Sequence, residues 1–192
     1  ITLGVSDYLL KPIAPNTLDN ILTTCRTQHQ STLRSLRSEY LQKILLDDTQ
    51  PEDGYLPLLS CSCTLLFFFS GPMRSNLYTE TIISPDFLPV EKQAIEKLEE
   101  KHKISLFLLH GRHHNEKVAA ITAPLSQPLD IDLISQEICQ LIRPLDACFH
   151  LVISNTVTDC QKLQELTRSA YLYALFKVPF GIDSIQKCQA LT

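Results

Sequence analysis

From Asn16 to Leu46 the chain carries neither glycine nor proline. Along this stretch the less polar positions are Leu18, Leu22, Cys25, His29, Leu33, Leu36, Tyr40 and Ile44. Their gaps are 4, 3, 4, 4, 3, 4 and 4, an 11-residue repeat that keeps one face aligned along a nearly straight helix. A single long helix is expected, capped by Asn16 behind Pro15. Its stripe is narrow and the other faces are polar, so it cannot be buried all round. Two partners suit such a stripe. One is a second copy of the chain, with Leu22, Cys25, Leu33, Leu36 and Tyr40 as a homodimer seam. The other is the chain's own domain.

Beyond Leu46, the stretch Asp47–Pro57 holds two prolines and one of the five glycines, and reads as a linker. Apolar strand-like runs then stand at Cys61–Ser70, Ile104–Leu109, Val118–Ala123 and Cys148–Ile153. Amphipathic helical patterns stand at Glu91–Lys103, Ile131–Ile142 and Asp159–Phe176, the last capped by Thr158. His110–Lys117 is polar and contains Gly111, as a hairpin loop between the second and third strands would. The order strand, helix, strand, strand, helix, strand, helix predicts an α+β fold. It is ferredoxin-like, an antiparallel sheet with helices on one face, preceded by the long helix.

Composition narrows the function classes. Of 192 residues, 44% are hydrophobic and 20% charged, which excludes wholesale disorder. The net charge of −4 offers no electrostatic footprint for nucleic acid. No apolar run approaches the ~20 residues of a membrane-spanning helix, so no membrane partner is expected. Seven scattered cysteines, an odd number, fit a reducing, cytoplasmic setting. Cys61 and Cys63 are too close for the usual zinc spacing, and no metal is expected there. The chain opens on Ile1 with nothing that resembles a signal peptide, and reads as a piece of a longer protein.

The first residues, GVSDYLLKPI, resemble the end of a two-component receiver domain, with Gly4, Asp7, Tyr8, Lys11 and Pro12 at the matching positions. The resemblance implies that Lys11 meets a phosphorylated aspartate and that Tyr8 is the aromatic switch. It also implies a cis Lys11–Pro12 bond. The later order of elements resembles the central region of AraC-type response regulators, a degenerate relative of the GGDEF-type cyclase fold. The residues that carry this are Phe149–Ser154, then Leu163, Ser169-Ala170-Tyr171 and Ala174, then Phe176–Ile185. Three parts follow: a receiver remnant (1–24), a helical linker (25–50) and a degenerate cyclase-like domain (51–192). The implied partners are a sensor histidine kinase, through a receiver part outside the chain, and DNA, only through a C-terminal domain outside it.

No catalytic constellation emerges. A working cyclase needs carboxylates for two divalent cations at the end of its first strand and at the central hairpin. Here the first strand ends Phe67-Phe68-Phe69-Ser70-Gly71-Pro72, and the hairpin offers one carboxylate, Glu116, beside Arg112 and Lys117. His110, His113 and His114 read as a solvated hairpin tip. The expected function is a non-catalytic regulatory and dimerisation module without a cofactor. The alternative is a domain that senses a nucleotide-like small molecule, with Arg74 and Arg112 as candidate anion contacts.

Overall fold

The computed structural model describes residues 15–46, 61–70, 90–112, 116–142, 149–159, 162–177 and 183–188. The receiver-like Tyr8, Lys11 and Pro12, the expected linker, Arg74, His113 and His114 lie outside the described residues.

The elements run α1 (Pro15–Leu46), β1 (Ser62–Ser70), α2 (Lys92–His102), β2 (Ser105–His110), β3 (Glu116–Ala123), α3 (Ile131–Ile142), β4 (Phe149–Ile153), α4 (Lys162–Lys177) and β5 (Ser184–Lys187). The long helix forms as one 32-residue element. It begins at Pro15, whose missing N–H costs nothing in a first turn, so Asn16 lies inside the helix and is not its cap. The sheet has the order β2-β3-β1-β4-β5. Its first four strands are antiparallel and follow the split β-α-β connection order. The fold is thus α+β.

Two expectations are corrected. β5 lies parallel to β4, with His150 opposite Ser184, so the sheet is mixed rather than antiparallel. The helices also cover both faces, not one. Leu65, Phe67 and Phe69 of β1 meet α1 and α4, whereas Leu66 and Phe68 meet α2 and α3. The cause is β1 itself, in which all nine residues are buried. A central strand apolar at successive positions needs cover on both sides.

The long arm of β1 is satisfied beyond the end of β4. Cys63 and Val157 exchange two backbone hydrogen bonds, of 2.7 and 2.9 Å. The Ser154 Oγ accepts from the Leu65 N–H at 2.8 Å. Cys63 is buried in β1, and Cys61 sits half-buried just before it. No helix among the described residues is long and apolar enough to cross a membrane.

His150 of β4 is fully buried, with Nδ1 3.1 Å from the Ser184 hydroxyl. Burial pushes its imidazole below the ordinary value, against an opposing pull from Asp183. In the folded chain it therefore stays neutral, while the unfolded chain takes up a proton as pH falls through about 6.5. Stability should fall from that pH downward until the folded imidazole itself titrates. The slope should reach at most about 1.4 kcal/mol per pH unit from this one group. Urea unfolding of the parent and His150→Gln at pH 8, 7, 6 and 5 checks this. Identical pH profiles would contradict it.

Candidate functional site at the root of the long helix

At 1.5 Å per residue α1 is about 48 Å long. Only its last part is embedded: Tyr40, Leu41, Ile44 and Leu45 are its buried residues. Leu22 and Leu36 stay in solvent, 56% and 36% exposed, and Leu33 between them is half-buried. The root of α1 is where a movement of the helix would enter the domain.

The root is sewn to β2, an edge strand of the sheet. An edge strand presents backbone groups with no strand to pair them, a liability that side chains or helices can cover. Gln42 does this at one end: its Nε2 donates to the His110 carbonyl and its Oε1 accepts from the His110 N–H, both at 2.9 Å. One amide thereby imitates a neighbouring strand. At the other end Glu99 Oε1 accepts from the Leu106 N–H at 2.6 Å, and Arg34 donates to the Leu106 carbonyl at 2.8 Å. Arg34 also pairs with Glu99 at 2.8 Å and lies over the Phe107 ring, 5.2 Å from its centre.

A second knot ties α1 to the β2–β3 hairpin and α4. β2 and β3 run further than their polarity suggests, so Glu116 begins β3 and is buried instead of standing in a loop. Its Oε2 accepts from the Tyr171 hydroxyl at 3.0 Å and from the Arg112 N–H at 2.9 Å. That N–H is shared with the Tyr171 oxygen at 3.2 Å. Burial, with the Glu116 carboxylate beside it, holds the Tyr171 hydroxyl above its ordinary range, so it remains a proton donor. The Arg112 guanidinium lies 4.8 Å from the centre of the Tyr171 ring, and its Nε donates to the Leu45 carbonyl at 3.0 Å. That carbonyl is in the last turn of α1, where intrahelical donors run out and a cation is favoured. Gly111 makes the close approach possible. A Cβ there would stand 2.3 Å from the Glu116 Cβ.

The expected site residues separate into distinct settings. Tyr40, assigned to a dimer seam with Leu22, Cys25, Leu33 and Leu36, is 1% exposed and belongs to the domain's own core. Leu22 and Leu36 remain on the surface, and Cys25 and Leu33 are half-buried. Arg112 is engaged in the knot. Among the described residues no group of three or more His, Cys, Asp or Glu side chains is placed to hold a metal ion. Gln42, Glu99, Glu116 and Tyr171 were not singled out from the sequence as site residues. Each has a partner 55 to 68 positions away, a range over which local patterns carry no signal.

No family model matches the chain, and no curated protein matches it.

Proposed function

We propose that the chain is a non-catalytic relay and dimerisation module of a two-component response regulator. It would join a phosphorylatable receiver domain to a DNA-binding domain, both outside the described residues. The observation that carries this reading is the division of α1. One end is locked into the domain, and the remainder offers exposed leucines at helical spacing. A stiff helix with one fixed end transmits a rotation or a change of pairing to whatever holds that end. The physical form is a population shift between two helix arrangements. Under this reading the receiver-like Tyr8 and Lys11 bias the free end, while Gln42, Arg34 and Arg112 read the result at the root. The hairpin carboxylate favours a structural over a catalytic role, because Glu116 is already bonded to Tyr171 and Arg112.

Sedimentation tests the dimer. The parent chain should sediment as a dimer at tens of micromolar, and Leu22→Glu with Leu36→Glu should sediment as a monomer. Both side chains are exposed, so the pair should change stability by less than about 1 kcal/mol. A parent that stays monomeric at high concentration, with the double variant indistinguishable from it, removes the reading.

A further inference from the structure

A groove of about 770 Å3 lies between α1 and α2 beside the β2 edge. Its charges do not balance. Arg34 is matched by Glu99 at 2.8 Å, and Lys92 by Glu96 at 3.6 Å. Arg37 of α1 also lines the groove and is left over. It is half-buried, and its Nε is shut off from solvent with no hydrogen-bond partner. Among the described residues nothing forms a hydrogen bond or ion pair with it. The nearby Cys61 thiol feels its charge, but burial pushes that thiol up, so it stays uncharged and cannot act as a counter-ion. The terminal nitrogens of the Arg37 guanidinium are not closed off in the same way, so an oxyanion in the groove can supply the acceptor that no protein group supplies.

We propose that this groove binds a small organic oxyanion, a carboxylate or a phosphate monoester with an apolar body, held by the Arg37 guanidinium. The planar fork of arginine suits two parallel hydrogen bonds to either group. The Ser31 and Ser105 hydroxyls line the same space and can add donors. Leu33, Ile95 and Phe107 form the apolar wall against which the body of the ligand lies. The volume falls within the ~300–1,000 Å3 of ordinary small-molecule sites. An occupant touching both helices braces α1 against α2, so it would also stiffen the root of the long helix. Anion binding in this groove is independent of the relay, and dimerisation through Leu22 and Leu36 can fail with it intact.

Calorimetric titration of the whole chain with phenyl phosphate, benzoate and inorganic phosphate tests it, with sodium chloride at matched ionic strength as the reference. Phenyl phosphate, benzoate or both should bind with a dissociation constant of about 1 mM or tighter. Binding by one alone assigns the head group as phosphate or carboxylate. Inorganic phosphate should bind more weakly, because it lacks the apolar body. Arg37→Gln should weaken binding by about ten- to a hundredfold. Arg37→Lys should fall between, keeping the charge but losing the fork. Without any anion, Arg37→Gln should melt at the same temperature as the parent or higher, since it removes an unpaired charge. Three results overturn the proposal: no binding of either organic anion above the salt reference, equal binding by Arg37→Gln, or a marked loss of anion-free stability in that variant.

Discussion

Phe67→Ala should lower the unfolding free energy by about 4 kcal/mol, among the largest effects expected of a single truncation at the described residues. Phe67 is 1% exposed and sits in the central strand, with Val118 opposite it on one side and Val152 on the other. Strands hydrogen-bonded on both edges cannot close around a missing ring, so most of the cavity should persist. The cost then belongs in the upper part of the ~3–5 kcal/mol range for phenylalanine truncations. Whole domains have only ~5–15 kcal/mol to lose. The ring also meets Tyr171 edge-on, with centres 5.2 Å apart, so its loss slackens α4 at the knot with Arg112. Phe67→Leu should cost roughly 1.5 kcal/mol, because it keeps most of the volume. Urea unfolding checks both. A loss below about 1.5 kcal/mol for Phe67→Ala at unchanged urea sensitivity would show that the core closes freely around this position.

The strand that carries Phe67 also shows what a local reading of the residues can reach. The run Cys63–Phe69 is apolar at nearly every position, and that pattern belongs to a strand covered on both faces. The two-sided helix arrangement was therefore legible in β1, although element order alone suggested one covered face. α3 was legible at both ends, because its 3.6-residue pattern is strong and Pro144 stands just beyond it. β5 was not. Ser184–Lys187 is four residues long and polar in alternation, and it is held by backbone pairing to β4 and by the Cys188 N–H on the Ile153 carbonyl. The 11-residue stripe of α1 predicted the helix but not where it stops being surface. Tyr40 and Leu22 share that stripe, yet only Tyr40 reaches the core, because only the last part of the helix packs into it. Glu116 was the furthest from view. A polar run from His110 to Lys117 reads as solvated loop, and the tyrosine that brings its carboxylate inside lies 55 residues away.

Glu116→Ala should cost about 3 kcal/mol. It takes the acceptor from the half-buried Tyr171 hydroxyl and leaves the Arg112 N–H only its longer 3.2 Å contact with the Tyr171 oxygen, and a partly buried donor that loses its acceptor costs stability. Glu116→Gln keeps an oxygen for both donors and should cost only about 1 kcal/mol. Tyr171→Phe removes the hydroxyl and leaves the ring under Arg112, so it too should cost about 1 kcal/mol. The double variant Glu116→Ala with Tyr171→Phe should be less damaging than the sum of its parts, by about 1 kcal/mol, since the second change removes a donor that the first had orphaned. Strict additivity would mean that the two side chains do not act as one unit. The relay reading asks more of this knot than stability. Arg112 reaches the Leu45 carbonyl from a loop positioned by Glu116. Loosening that loop should raise amide hydrogen exchange in the last turn of α1 while leaving the exposed stretch around Leu22 unchanged. If the last turn exchanges no faster in Glu116→Ala, the Arg112 loop does not hold the helix, and the hold comes from Gln42, Arg34 and the core packing of Tyr40, Leu41, Ile44 and Leu45.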